Sequence, residues 1–180
     1  MARVQSEAPR EGLRHRIEHG PPWDLQQRIQ PQGIVPAMQP AFFWEFGEGY
    51  INSYGRDRAD VMFPAKSLIA AGVRVAGSSD AGVTDHRPLF GIEQAMPCAT
   101  MGGNVYGPEE RVDLDTAIRM HTINGAYAEF AEDRKGSIEV GRSAYLTVLS
   151  ETLRQVSVTE LRNLPISMTL VEGRVCYETD

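Results

Sequence analysis

Residues 13–20 of the chain read LRHRIEHG. Leu13, His15, Ile17 and His19 alternate with charged residues, and this two-residue period is typical of a β-strand. The following Gly-Pro-Pro at 20–22 ends any regular element. The stretch therefore predicts a strand whose last residue is His19.

The same letters also permit a second interpretation. His15, Glu18 and His19 form the pattern H-x-x-E-H, which one class of zinc peptidases carries on a helix. Two histidines four residues apart share a face on a helix and on a strand, so their spacing does not decide between the two. A helix would end abruptly at Gly20, and we therefore favour the strand. On a strand, His15 lies about four residues deeper than His19 and is expected to pack or to hydrogen-bond a ligand.

Two further strands are predicted downstream, at residues 33–38 and 73–77. A short helical segment over roughly residues 23–29 precedes the first of them. An aromatic-rich loop, residues 40–55, and a helix that begins near Pro64 and stops at Gly72 separate the two strands. Strands that alternate with helices through short connections indicate a parallel sheet.

The chain changes character after this region. A long helical stretch is predicted from an N-cap at Asp113 towards Ala131, with a possible break. Two β-hairpins are predicted after it, one over residues 136–150 with a turn at 141–142 and one over residues 166–178 with a turn at 172–173. We expect residues 1–135 to form one unit and residues 136–180 a small β domain.

Composition excludes several classes of function. The 180 residues carry a formal net charge of −6, which argues against a nucleic-acid partner. No apolar run is long enough to span a membrane, and no signal peptide is recognisable. The two cysteines, Cys98 and Cys176, are expected to be reduced, so we expect a cytoplasmic protein.

A polar residue ends each of two predicted strands that are two strand-plus-helix steps apart. His19 ends the first strand, and Ser78, Ser79 and Asp80 follow the third. The carboxyl ends of parallel strands meet at one edge, so His19 and Asp80 should point at the same place. An imidazole beside a carboxylate is what a metal-dependent hydrolase needs, as ligands and as a proton acceptor.

Four stretches of the chain resemble one family in the right order. The chain resembles the C-terminal part of enzymes of the amidohydrolase superfamily, in the branch of YtcJ-like metal-dependent hydrolases that includes N-substituted formamide deformylases. The stretches are LRHRIEHG (13–20), VRVAGSSDAGVTDHRPLFGIEQAM (73–96), AIRMHTINGAYAEFAEDRKGSIEVGRSAYLTVLS (117–150) and MTLVEGRVCYE (168–178). The resemblance implies an α/β fold: about strands 6–8 of a TIM (β/α)8 barrel, followed by a small β domain of the composite metal-dependent hydrolase type.

The resemblance also implies roles for individual residues. His19 is similar to the metal-ligand histidine of the sixth strand. Asp80 is similar to the eighth-strand aspartate, which binds metal and acts as the catalytic base. The implied cofactor is a divalent metal ion, with zinc favoured, and the implied substrate is a small amide-like molecule. The family's ligands on earlier strands have no counterpart here, so we expect a fragment that needs a missing N-terminal half or a homo-oligomer.

Two hypotheses about function follow. The first is the C-terminal portion of a metal-dependent amidohydrolase that hydrolyses carbon–nitrogen bonds other than peptide bonds with activated water. The second is a catalytically inactive remnant or interaction domain that lacks a complete metal centre. Metal content of the purified protein separates them.

Other residues keep open alternatives. His86 and Arg87 follow Asp80 in the chain and either contact substrate or belong to a solvated loop. The aromatic residues within 42–50 either shape an apolar substrate pocket, cover surface left by missing strands, or form a subunit contact. His121 lies in the predicted helical stretch and is expected to be structural.

Overall fold

The computed structural model describes residues 2–20, 29 and 33–179. Over these residues the chain forms short helices around one parallel sheet, followed by an antiparallel sheet. The α-helices are α1 (Ala2–Glu7), α2 (Pro40–Tyr54), α3 (Arg56–Ala59), α4 (Ala65–Ala70), α5 (Pro88–Ala95), α6 (Leu114–His121) and α7 (Ile123–Ala128). The strands are β1 (Arg16–Glu18), β2 (Val35–Met38), β3 (Ala76–Gly77), β4 (Leu146–Leu149), β5 (Ile166–Val171) and β6 (Arg174–Glu178). Three 3-10 turns cover Pro108–Glu110, Leu153–Gln155 and Val158–Asn163.

The first sheet has the order β1-β2-β3, and both neighbouring pairs are parallel. This confirms the predicted parallel arrangement. The central strand β2 is buried along its whole length, as expected for a strand covered on both faces. Because residues 16–18 form a strand, the helical H-x-x-E-H interpretation is wrong. The helix predicted over residues 23–29 lies outside the described residues except for Ile29, which is buried in the core.

The aromatic segment after β2 is a helix, so the prediction of a loop over residues 40–55 is wrong. Pro40 occupies the first turn of α2, where its missing N–H costs nothing. Phe43 and Gly47 lie on the buried face, and the Phe43 ring stacks on Tyr106 with centroids 3.8 Å apart. Aromatic residues and glycines are poor helix formers in isolation, and this packing outweighs their intrinsic preference.

The helices α6 and α7, called the closing helices below, follow the sequence prediction more closely. Asp113 caps α6 by accepting a hydrogen bond from the backbone N–H of Thr116 at 2.7 Å. Thr122 has non-helical dihedral angles and separates α6 from α7, which is the predicted break. The helix predicted from Pro64 is also present, as α4.

The second sheet has the order β4-β5-β6 and is antiparallel throughout. The hairpin predicted over residues 166–178 is confirmed as β5 and β6. The hairpin predicted over residues 136–150 is wrong, because β4 pairs with β5 and not with the residues before it. Ile138 and Val140 are almost fully exposed, so the apolar residues before β4 have no face to pack against.

Arg14, two residues before β1, contacts residues in and just after α7. The Arg14 guanidinium lies over the ring of Tyr127 at 3.7 Å and over the ring of Phe130 at 4.6 Å. It also forms an ion pair with Glu132 at 2.5 Å. Stacking and pairing together explain how a charged side chain fits beside the sheet.

A buried ion pair joins α5 to the 3-10 turn that precedes β5. Glu93 on α5 is only 2 % exposed, and Arg162 donates to its carboxylate from the backbone N–H at 2.9 Å and from Nε at 2.7 Å. The Arg162 guanidinium also stacks against Phe90, 4.2 Å from the ring centroid, and against Trp44 at 4.8 Å. Glu93 and Arg162 therefore hold α5 against the segment that leads into β5.

Both cysteines are free thiols, with Cys98 buried and Cys176 exposed. Burial raises the pKa of Cys98 to about 11, so this thiol stays protonated at neutral pH. Among the helices of the described part of the chain, none combines the length and the apolar character that crossing a bilayer requires.

We predict that Arg162→Met destabilises the protein by about 3–5 kcal/mol, because it leaves the Glu93 carboxylate buried without its cation. The measurement is the free energy of unfolding from urea denaturation. Arg154→Met is the matched control, since Arg154 pairs with Asp115 at an exposed site and its loss should matter far less. Equal losses in the two variants would contradict a dominant role for the buried pair.

Candidate functional site

The three parallel strands deliver one polar side chain each to a common edge. His19 follows β1, Gln39 follows β2, and Asp80 lies three residues after β3. The strands run in the same direction, so their carboxyl ends meet there. This edge, with His19, Gln39 and Asp80, is the candidate site.

His19 and Asp80 approach each other closely. His19 Nδ1 lies 4.0 Å from Asp80 Oδ2, and the two side chains are 57 % and 40 % exposed. Both groups can therefore reach a solute at the sheet edge. The His19 ring also stacks on Phe42, with centroids 5.7 Å apart and the ring planes 18° from parallel, which fixes its orientation.

Both residues have left-handed backbone conformations. The φ angle is 66° at His19 and 52° at Asp80. Aspartate and histidine tolerate this region better than most side chains, but it remains uncommon outside glycine. Strained backbone conformations that lie close together at one edge of a sheet are typical of binding and catalytic sites.

The turn after β3 is tied down on both sides of Asp80. The Thr84 hydroxyl donates to the carbonyl of Ser79, and the Val83 N–H donates to the carbonyl of Asp80 at 2.8 Å. On the other side, Gln39 Nε2 donates to Ser78 Oγ at 2.7 Å. These bonds hold the aspartate in one backbone conformation.

The remaining candidate residues lie at different distances from this edge. His15 immediately precedes β1, and four residues of extended chain, ~13 Å, separate it from His19. The His86 side chain is 83 % exposed. Arg87 donates to the Asp85 carboxylate from Nε at 2.8 Å and to the carbonyl of Arg162 from Nη1 at 3.2 Å, so its guanidinium faces the 3-10 turn before β5. The Arg87 guanidinium and backbone N–H lower the pKa of Asp85 to about 2.

His19 and Asp80 have the donor atoms that zinc takes from proteins, an imidazole nitrogen and a carboxylate oxygen. Two tetrahedral ligands at ~2.1 Å from one ion lie roughly 3.4 Å apart, which is less than the 4.0 Å between His19 Nδ1 and Asp80 Oδ2. A catalytic zinc site normally has three protein ligands. Within residues 2–20, 29 and 33–179, no group of three or more His, Cys, Asp or Glu side chains could hold one ion.

Gln39 is the site residue that the sequence analysis missed. It directly follows an apolar strand, as His19 directly follows β1. The rule that selected those two residues would also have selected Gln39. An amide does not titrate and is not a preferred metal ligand, so a search for ligands and bases does not single it out.

Comparison with known proteins identifies the family. Residues 1–177 match the model of the amidohydrolase family. The chain belongs to this family. It is 35 % identical over 153 residues to the N-substituted formamide deformylase of Arthrobacter pascens, an alignment that covers 84 % of this chain and 28 % of that protein. It is 29 % identical over 180 residues to the amidohydrolase YtcJ of Bacillus subtilis strain 168, covering 97 % of this chain and 34 % of YtcJ. The chain thus spans about a third of the length of these relatives.

A solved structure gives the same answer at the level of fold. A metal-dependent hydrolase of Pyrococcus furiosus superposes with a TM-score of 0.63 at 26 % identity. The match covers 79 % of this chain and 28 % of that protein. The chain therefore shares its fold with part of a metal-dependent hydrolase.

His121, the last residue of α6, supports β3 from the closing helices. Its ring fills the space beside Gly91, where an added Cβ would lie 2.6 Å from the imidazole Cε1, and it also contacts Gly77. Its Nε2 atom is shielded from solvent and has no hydrogen-bond partner among the described residues. Burial lowers the pKa of His121 from 6.5 to about 4, because charging the ring there is unfavourable.

We predict that the protein loses stability as the pH falls from about 6.5 to about 4, by at most about 3 kcal/mol from His121. The unfolded chain binds a proton on this histidine in that window and the folded chain does not, so stability rises with pH and is fully present above 6.5. Urea denaturation at a series of pH values measures the effect. His121→Gln should flatten this part of the profile, whereas His86→Gln, at an exposed site, should not. An unchanged slope in His121→Gln would contradict the assignment.

Proposed function

We propose that the chain is the C-terminal part of a metal-dependent amidohydrolase that hydrolyses carbon–nitrogen bonds of small non-peptide amides, of the formamide type. The observation that carries the proposal is the convergence of His19 and Asp80 at 4.0 Å from strands two apart in a parallel sheet. Family membership supports the class of reaction, and the deformylase relative supports the class of substrate.

The proposal includes an assignment of the fold. We take β1, β2 and β3 as about strands 6–8 of a TIM (β/α)8 barrel, within a unit of residues 1–135. Residues 136–180 then form the small β domain. The parallel order of the first sheet and the separate antiparallel sheet support this division. In such barrels the active site lies at the carboxyl ends of the strands, where His19 and Asp80 are found.

His19 and Asp80 would hold a divalent metal ion, for which zinc is our choice. When bound, such an ion polarises a substrate carbonyl and makes water a better nucleophile at neutral pH. The other protein ligands would come from residues beyond those described, since the relatives are about three times longer than this chain. The stacking of Phe42 on His19 would keep the imidazole aligned for ligation.

Asp80 would also move the proton in the reaction. Its carboxylate accepts a proton from the attacking water, and the protonated group then donates it to the leaving nitrogen. The partial exposure of Asp80 leaves it accessible to water, and the bonded turn around it holds it at one position. Both properties suit a general base that becomes a general acid within one turnover.

A row of aromatic side chains runs outward from His19 along α2. Phe42, Phe46, Tyr50 and Tyr54 follow one another at intervals of four residues, and neighbouring ring centroids are 5.8, 6.5 and 6.4 Å apart. Phe46 and Tyr54 are exposed, at 38 % and 53 %. We propose that this row binds the apolar substituent of the amide, with the scissile bond at His19 and Asp80.

A second candidate function has its own support. The described residues supply two metal ligands where a catalytic site needs three, which favours an inactive remnant or an interaction domain if no other chain completes the site. Measuring bound metal in the protein as its gene encodes it separates the two functions. About one tightly bound ion per chain supports the hydrolase, and none supports the remnant.

We predict that His19→Ala and Asp80→Asn each lower kcat/KM for N-substituted formamides by about 10³-fold or more, through loss of a ligand or of the proton acceptor. The assay uses the gene-encoded protein after equilibration with zinc. Asp57→Asn, an exposed carboxylate on α3, is the control and should leave the rate unchanged. Full activity in either site variant would remove that residue from the mechanism.

We predict that Phe46→Ala raises KM for N-hexylformamide about five- to tenfold, because the alkyl chain loses apolar contact area. KM for N-methylformamide, which is too short to reach Phe46, should stay the same. Tyr54→Ala, at the far end of the row, should have a smaller effect. Equal changes for the long and the short substrate would show that the row does not bind the substituent.

A further inference from the structure

Gln39 is buried at the centre of the candidate site. It directly follows β2 and is 5 % exposed, and its side chain extends across to the residues after β3. Nε2 donates to Ser78 Oγ at 2.7 Å and makes a longer contact to the carbonyl of Ala37 at 3.3 Å. The backbone N–H of Ser78 donates to the carbonyl of Met38 at 2.9 Å. The Gln39 side chain therefore adds one hydrogen bond beyond the last backbone bond between β2 and β3.

That extra bond matters because β3 is short. Only Ala76 and Gly77 pair with β2, and the chain then leaves the sheet towards Asp80. Downstream of Asp80, the hydroxyl of Thr84 and the N–H of Val83 hold the turn. Upstream, the side-chain bond from Gln39 to Ser78 restrains it. Asp80, at a φ of 52°, lies between these two restraints.

Burying the Gln39 amide is energetically unfavourable, which indicates that one of its hydrogen bonds has a structural role. Gln39 Oε1 is buried and accepts no hydrogen bond from the residues that the structure describes. A buried amide with an unpaired oxygen is less favourable than an apolar side chain of the same size. The bond to Ser78 is the interaction that an apolar side chain could not replace.

We propose that Gln39 is a positioning residue: through Ser78 it holds the turn that places the Asp80 carboxylate opposite His19. The proposal rests on the proposed function for the role of Asp80 in catalysis, but its structural part does not. As a positioning residue, Gln39 acts through Ser78 and contacts neither the substrate nor the metal.

The structural part is tested by hydrogen exchange of the Val83 amide, which reports on the turn. In Gln39→Leu and in Ser78→Ala we expect this amide to exchange about tenfold faster, because the turn opens more often. The amide of Phe90 on α5, which donates to the carbonyl of Arg87, should keep its exchange rate in both variants. Ser78→Thr keeps a hydroxyl, so the Val83 amide should exchange as slowly in this variant as in the unaltered protein. Unchanged exchange at Val83 in both variants would overturn the proposal.

The functional part is tested in the gene-encoded protein loaded with cobalt as a spectroscopic substitute for zinc. Gln39→Leu and Ser78→Ala should each lower kcat about tenfold or more with KM within about twofold, and should alter the visible cobalt spectrum. The double variant should be no worse than either single one, because both remove the same bond. A general loss of stability with an unchanged spectrum and kcat would overturn the positioning role.

The two possible failures are distinguishable. If the unaltered protein binds no cobalt and hydrolyses no amide, the proposed function fails, while faster exchange at Val83 in the variants still supports the role of Gln39 in the turn. If the unaltered protein is active and the variants match it in kcat, spectrum and exchange, the role of Gln39 fails and the proposed function stands.

Discussion

The parallel pairing of β1 with β2 and of β2 with β3 is the constraint on which the site depends. Residues 61 positions apart in sequence become neighbours only because both strands run the same way and end at the same edge. The buried strand β2 sets the spacing between them. His19 and Asp80 approach each other across it. The Gln39 side chain adds a hydrogen bond to Ser78 beyond the last backbone bond between β2 and β3.

Much of the surrounding structure keeps the short strand β3 in place. From one side, the Gln39 amide bonds Ser78. From the closing helices, Asn124 donates to the carbonyl of Val75 at 2.9 Å, and the His121 ring fills the space that Gly77 and Gly91 leave open. The Glu93–Arg162 pair then fixes α5, which carries Gly91, to the segment before β5. Side chains thus do for β3 what backbone pairing does for longer strands.

The sequence predicted those features that short-range patterns determine. Alternation before the Gly-Pro-Pro stop predicted β1, and Asp113 predicted the start of α6. The position of His19 and Asp80 at strand ends followed from chain direction alone. The prediction of a loop over residues 40–55 was wrong because the helix there is stabilised by tertiary stacking on Tyr106, which no local pattern shows. The prediction of a hairpin over residues 136–150 was wrong because β4 pairs with β5, about 20 residues further along the chain. The turn residues at 141–142 do not indicate which strand β4 pairs with.

A crystal structure of the gene-encoded protein with zinc, with anomalous diffraction recorded at the zinc absorption edge, tests whether His19 and Asp80 bind one metal ion. We expect an anomalous peak at the carboxyl edge of the β1-β2-β3 sheet, within about 2.0–2.2 Å of a His19 ring nitrogen and an Asp80 carboxylate oxygen. A peak bound elsewhere, with His19 and Asp80 facing each other and no metal between them, would contradict it.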